Sequence, residues 1–183
     1  MMLDLNNYRD QAYKIACEHG FHDERHSNEH WKCLIISELM EAVEADRKDK
    51  RAQMKMFNDN CNTPQKNPQK HWEYIFGLFV KDTVEDELAD ACIRIFDLAG
   101  YRNIDLQIDT DSVAEIPRDR TVTEFVYSII KHLIAFNILH LNLKQSLELL
   151  FALADKLGID IEKHIQLKME YNASRPYKHG KRY

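Results

Sequence analysis

At 183 residues, with 30% charged residues and only five glycines and four prolines, the chain has the composition of one largely helical domain rather than a β-rich fold. Its net charge of −5 argues against a nucleic-acid partner. The four cysteines form no CxxC pair, the first residues carry no apolar leader and no apolar run approaches ~18 residues, so we expect a soluble, cytoplasmic protein without a membrane partner.

The first half of the chain predicts two helices and an irregular connection. One helix covers about residues 3–19 and is closed by Gly20, and a second begins after Ser27 as N-cap and runs to about residue 50. Residues 51–70 hold two prolines and many amide side chains, which are typical of loops. We expect this stretch to be irregular, either as a flap beside the site or as a simple connector.

The second half of the chain predicts helices separated by one further irregular stretch. The pattern is helical from about residue 71 into an acidic helix over residues 82–97 that ends near Gly100. Residues 104–120, with Pro117, are predicted to be irregular. Later helices begin at Thr121 or Thr123, cover residues 143–157, and follow Asp160 as N-cap.

These elements predict an all-α fold: a helical bundle of five or six helices, with the acid-bearing helices antiparallel at its centre. We expect one domain over residues 1–183, with irregular insertions at about 51–70 and 104–120.

Two pairs of acidic residues indicate a metal site. Glu38 and Glu41 are three residues apart, as are Glu87 and Asp90, so each pair projects to one side of its helix. If the two helices pack face to face, four carboxylates converge and require a compensating cation. Oxygen ligands at this density suit Mg²⁺, with Mn²⁺ as the alternative ion. A ferritin-like di-iron site would need Glu-x-x-His, which occurs nowhere in the chain.

A second group of polar residues lies near the C-terminus. Lys168, Asn172 and Arg175 are spaced four and three apart and share one helical face. Two cations and an amide in such a row suit a polyphosphate chain. Alternatively, Lys168 and Arg175 are ordinary exposed charges near the end of a helix.

Taken in order, the segments SELMEA, DELADA and KMEYNASRPYKHGK resemble the MazG-like branch of the all-α nucleoside triphosphate pyrophosphohydrolase superfamily. The resemblance covers roughly residues 31–47, 81–98 and 159–181. It implies cleavage of a nucleoside triphosphate to the monophosphate and pyrophosphate, with a homo-oligomer, dimer or tetramer, as the functional form. It also implies Mg²⁺ on the four acids, Glu38, Glu41, Glu87 and Asp90.

The resemblance and the chemistry together suggest metal-assisted hydrolysis. Glu38 is the predicted catalytic residue, which would orient or deprotonate the attacking water. Lys168 and Arg175 would hold the departing pyrophosphate, and Asn172 a phosphate or sugar oxygen. Further substrate contacts are expected from two more cations, Lys81 and Arg94. For Arg94, a structural pairing with Asp90 and Asp97 is the alternative.

Two other functions remain open on the sequence alone. One is a non-catalytic helical module for oligomerisation or regulation, which would keep the bundle without turnover. The other is an HD-type metal phosphohydrolase, which would require the adjacent residues His22 and Asp23 to be essential.

Overall fold

The computed structural model of the protein describes residues 2–61, 63–64, 66–109, 119–135, 138–180 and 182. These ranges contain eight α-helices, so the all-α class is confirmed, whereas the predicted number of five or six helices is wrong. In chain order the elements are β1 Met2–Asp4, α1 Asn6–Glu18, α2 Asn28–Arg47, α3 Met54–Cys61, α4 Pro68–Phe79, α5 Val84–Tyr101, β2 Gln107–Asp109, α6 Val122–Ala135, α7 Leu139–Leu157, α8 Ile161–Ser174 and a final 3₁₀ turn, Tyr177–Gly180.

Helix α5 is the centre of the fold. It packs against α1, α2, α7 and α8, and most of its residues are buried. Its apolar residues come from nearly all around the helix, as expected of an element enclosed by several neighbours. Several acidic residues of α5 are therefore buried, whereas on a surface helix they would be exposed to water.

The acidic helix begins later than the continuous pattern from residue 71 predicts. The chain breaks between α4 and α5, where Asp82 adopts a positive φ of 57°. Thr83 is the N-cap of α5: its hydroxyl accepts a hydrogen bond from the backbone N–H of Asp86. Glu85, Asp86 and Glu87 occupy the first turn, where the helix dipole favours negative charge. Cap and acids together explain why a new helix starts at this point.

The prediction that residues 51–70 are irregular is wrong over α3 and the start of α4. Met54, Phe57 and Cys61 recur at helical spacing on α3 and pack against an apolar cluster that includes Ile75 and Phe76 of α4. Two of the amide side chains that suggested a loop, Asn58 and Asn60, belong to this short helix. Asn67 and Pro68 mark the start of α4 as its N-cap and first residue.

A two-stranded antiparallel sheet was not expected from the sequence. It pairs β1 with β2, with Leu3 opposite Ile108, and fastens the N-terminus to the segment that follows α5. Part of the predicted irregular stretch 104–120 is therefore a strand. Residues 110–118, including the predicted break at Pro117, lie outside the described residues.

Most helix ends agree with the local sequence signals. Ser27 and Asp160 accept N-cap hydrogen bonds at α2 and α8, and α7 ends at Gly158 with a φ of 69°. Thr121 and Glu124 exchange reciprocal hydrogen bonds at the start of α6. Among the helices of the described ranges, none combines the length and apolar character needed to cross a membrane.

Candidate functional site

Three of the four predicted metal ligands lie together. Helix α2 presents Glu38 and Glu41 one turn apart, and the first turn of α5 presents Glu87. One carboxylate oxygen from each residue lies within 4.8 Å of the other two. Glu38 and Glu87 are buried, whereas Glu41 is exposed, so the cluster is open to solvent on one side. We call these three residues the carboxylate triad.

The electrostatics of the triad favour a bound cation. Burial raises the pKa of Glu87 to about 8, opposed by Lys168 and assisted by the charges of Asp86, Asp90 and Glu41. At neutral pH without a metal, a proton therefore occupies this carboxyl group. A divalent cation would replace the proton and neutralise the neighbouring acids as well. All the available donor atoms are carboxylate oxygens, which fit Mg²⁺ or Mn²⁺.

The predicted substrate ligand Arg94 is paired with the triad itself. Its Nε donates a hydrogen bond of 3.0 Å to Oε1 of Glu38. Its guanidinium also lies over the ring of Phe21, 5.8 Å from the centroid. The direct partner of Arg94 is thus Glu38 rather than Asp90 or Asp97. Burial would lower the pKa of Arg94, but the charges of Glu38, Asp90 and Asp97 together raise it.

Asp90, the fourth predicted ligand, is not part of the triad. Its Oδ2 lies 2.7 Å from Nζ of Lys168, which also contacts Oδ2 of Asp86 at 2.6 Å. Lys168 is buried at 4% exposure, so it is not an ordinary surface charge. Although burial opposes ionisation, Lys168 holds the pKa of Asp90 below its usual value. At Asp86 the effect of burial is larger than the opposing effect of Lys168, so the pKa of Asp86 rises to about 6.

Asp86 is a site residue that the sequence interpretation missed. It belongs to a second carboxylate group with Asp82 and Glu87. The signal was available, because residues 86 and 90 are spaced four apart and therefore share a helical side. Lys81, predicted to bind substrate, instead forms an ion pair with Asp82, to which Lys50 also lies close at 3.6 Å.

Asn172 and Arg175, the two remaining predicted ligands, line a cavity beside the triad. Asn172 donates a 3.4 Å hydrogen bond from Nδ2 to Asp90, while its Oδ1 is buried without a partner in the described structure. The guanidinium of Arg175 lies over the ring of Tyr171 and donates a 3.4 Å hydrogen bond to the carbonyl of His179. Glu38, Asp90 and Arg94 line the same cavity, so it adjoins the candidate metal site.

The adjacent residues His22 and Asp23 do not form a shared site. Nε2 of His22 lies 2.6 Å from Oδ1 of Asp97 on α5, and both side chains are buried. Asp23 instead accepts a hydrogen bond of 2.5 Å from the hydroxyl of Tyr177. The pairing of His22 with Asp97 joins residues 75 positions apart, so no local pattern indicated it.

In comparisons with known proteins, no family model, curated protein or solved structure matches the chain.

Proposed function

We propose that this protein is a metal-dependent nucleoside triphosphate pyrophosphohydrolase, which cleaves a ribo- or deoxyribonucleoside triphosphate to the monophosphate and pyrophosphate. The observation that carries the proposal is the carboxylate triad, which joins two helices and lies next to a cavity whose lining includes Arg94 and Arg175. The ordered resemblance of three segments to the MazG-like enzymes supports the same reaction. Removal of damaged or surplus nucleotides is the cellular role that fits this chemistry.

Glu38, Glu41 and Glu87 are the residues that would hold the metal ion. A divalent cation bound there would draw phosphate oxygens to the site, neutralise developing charge and acidify a bound water. Arg94 fixes the orientation of the Glu38 carboxylate, so that Glu38 can orient the water that attacks phosphorus.

The cations of the site have separate roles in this mechanism. Lys168 neutralises Asp86 and Asp90 and thereby lowers the negative potential that an incoming triphosphate meets. Arg175 and Arg94 line the cavity beside the triad and would bind a phosphate chain that leaves it. Lys81 would assist only after its contact with Asp82 breaks.

The alternatives have weaker support. The divergent partners of His22 and Asp23 argue against an HD-type phosphohydrolase. A non-catalytic module would not explain buried acids whose charge is incompletely compensated. Self-association remains part of the proposal: Tyr127 and Ile134 are exposed one above the other on α6 and would suit a contact in a homo-oligomer.

The test is pyrophosphate release from a panel of ribo- and deoxyribonucleoside triphosphates, measured with Mg²⁺ and with EDTA. We expect metal-dependent release, with the nucleoside monophosphate as the other product. Glu41→Gln should reduce turnover at least about hundredfold, because it removes one metal ligand. Since the Glu41 side chain is exposed, this variant should fold like the wild type.

Glu44→Gln is the matched control. Glu44 lies one turn further along α2, is exposed, and pairs with Arg47 and Lys48 rather than with the triad. Its variant should retain full activity. Release of inorganic phosphate instead of pyrophosphate, or equal activity of the Glu41→Gln and Glu44→Gln variants, would contradict the proposed function.

A further inference from the structure

The cavity beside the triad has apolar as well as polar walls. It lies between α1, α5 and α8, and its apolar lining comes from Ile15, Phe21, Ile93 and Met169, among others. Apolar walls of this kind suit the faces of a nucleobase, whereas a phosphate chain would contact the guanidinium groups of Arg94 and Arg175 at the same cavity. Because Glu38 belongs both to the triad and to the cavity wall, a nucleotide with its phosphates at the triad would direct its base into this space.

The polar groups at the cavity include carboxylate and amide oxygens as well as the guanidinium groups of Arg94 and Arg175. Asp97 lines it, and Nε2 of His22 holds one of its oxygens at 2.6 Å. Oδ1 of Asn172, at the same cavity, is a buried acceptor without a partner in the described structure. A carboxylate and a buried unpartnered acceptor at one cavity favour a ligand that brings N–H donors.

We propose that this cavity is the base subsite of the nucleotide and that Asp97, held by His22, selects bases that carry an amino group. Cytosine, adenine and guanine offer such a group, whereas uracil and thymine present carbonyl oxygens on the corresponding edge. Cytosine and uracil are the sharpest comparison, because they differ at the edge of a ring of the same size. The subsite deepens the proposed function and rests on it for the position of the phosphates.

His22 acts here as a positioning residue. Its ring is packed among Tyr13, Trp31 and Tyr101, with centroid distances of 4.7 to 5.0 Å, so its orientation is constrained. The hydrogen bond to Asp97 transfers that constraint to the carboxylate. Burial raises the pKa of Asp97 against the effects of His22 and Arg94.

For a base to enter, the C-terminal residues that form one wall of the cavity, Arg175 and His179, must move. The cavity has a volume of about 50 Å³, which holds a few water molecules but not a nucleobase. Arg175 and His179 form one wall, and the His179 ring meets the edge of Phe21 at a centroid distance of 5.0 Å. When this imidazole moves out, a base can stack on Phe21 in its place.

Asp97→Asn tests the subsite through its base preference. The asparagine oxygen still accepts a hydrogen bond from His22, while its amide now offers a donor that suits the uracil carbonyl. The ratio of kcat/KM for dCTP to that for dUTP should fall at least about tenfold relative to wild type. Asp155→Asn, at an exposed position on α7, is the control and should leave the ratio unchanged.

His22 variants separate positioning from a merely structural role. His22→Gln retains an N–H donor and should keep the wild-type preference, whereas His22→Phe lacks the donor and should lose it. An unchanged dCTP to dUTP ratio in an active, folded Asp97→Asn variant would overturn the base subsite and leave the proposed reaction intact.

Equilibrium binding of dCMP and dUMP in EDTA tests the subsite without turnover. Wild-type protein should bind dCMP at least about tenfold more tightly than dUMP. Equal affinities, or binding of neither, would overturn the subsite even if every Asp97 variant failed to fold. Selective dCMP binding by a protein that cleaves no triphosphate would support the subsite and contradict the proposed reaction.

Discussion

Glu87 combines deep burial with several like charges, and its protonation should therefore affect the stability of the whole protein. Its pKa of about 8 in the folded state compares with an ordinary value of 4.5. Between these two values the folded state carries a proton that the unfolded state lacks. Without metal, this group thus stabilises the fold fully below about pH 4.5, and the contribution is lost as pH rises through about 8.

The first prediction is that Glu87→Gln weakens this pH dependence. In EDTA, the free energy of unfolding of wild type should fall by a few kcal/mol between pH 5 and pH 9, because each unit of pKa shift corresponds to about 1.4 kcal/mol. The variant should fall distinctly less, since its amide does not ionise. Urea unfolding followed by circular dichroism measures the effect, with the exposed Glu18→Gln as control. Parallel curves for wild type and Glu87→Gln would contradict the assigned pKa shift.

Lys168 is the buried cation on which Asp86 and Asp90 depend. We predict that Lys168→Met destabilises the protein by about 3–5 kcal/mol, because it leaves the buried Asp86 and the partly buried Asp90 without their shared cation. Adding Asp86→Asn should recover part of the loss by removing one of those charges. Urea unfolding at pH 7 measures both variants.

Lys163→Met provides the comparison on the same helix. Lys163 is partly exposed and forms no ion pair in the described structure, so its replacement should cost less than about 1 kcal/mol. If Lys168→Met were equally mild but weakened triphosphate binding, Lys168 would be a phosphate ligand, as first expected, rather than a structural cation.

At the scale of elements, the turn after α1 and the C-terminal 3₁₀ turn hold each other in place. The backbone N–H of Lys178 donates to the carbonyl of His19 at 2.9 Å, and His19 Nε2 lies 2.9 Å from the carbonyl of Arg175. Tyr177 covers Gly20 so closely that a Cβ there would lie 2.1 Å from its ring. A side chain at residue 20 would therefore require the exposed Tyr177 ring to shift.

Gly20→Ala should displace the C-terminal turn, and the chain offers a matched control. Gly20 and Gly158 both have a positive φ, 77° and 69°, but a Cβ on Gly158 would meet nothing within 4 Å. Gly158→Ala should cost only the backbone strain, about 1 kcal/mol, whereas Gly20→Ala should cost distinctly more. The free energy of unfolding and the rate of tryptic cleavage at Lys178 are the measurements.

A second substitution identifies the cause of the Gly20→Ala effect. Tyr177→Ala removes the ring that a Cβ at residue 20 would meet. When it is added to Gly20→Ala, it should therefore relieve the clash and cost little further stability. If the two glycine variants were equally stable and equally resistant to trypsin, the close packing of Tyr177 on Gly20 would be refuted.

At the scale of the whole molecule, metal binding should stabilise the fold, because the triad joins α2 to α5 and α5 is the central helix. At a Mg²⁺ concentration of about 100 times Kd, the gain is about 2.7 kcal/mol, which corresponds to a rise in Tm of roughly 5–10 °C. Differential scanning fluorimetry with Mg²⁺ and with EDTA measures it. Glu41→Gln should abolish most of the rise and Glu44→Gln none of it; a metal-independent Tm for wild type would rule out the site.

The sequence determined the local features of this protein. The caps at Ser27, Thr121 and Asp160 and the end of α7 at Gly158 depend on residues a few positions apart, so the sequence suffices to locate them. The sequence also suffices to predict the all-α class, and to predict that the two acids of each pair lie on the same side of their helix. Even α3 and the break at Thr83 have local signals, which the amide-rich composition and the continuous helical pattern concealed.

Only the tertiary structure decided which group faces which. Helical spacing shows that residues share a side, but the partner on that side comes from a distant part of the chain. Thus Asp90 lies against Lys168, Arg94 pairs with Glu38 and His22 pairs with Asp97, across separations of 78, 56 and 75 residues. The burial that sets the pKa of Glu87 likewise depends on how α2, α5 and α8 pack, which no local pattern specifies.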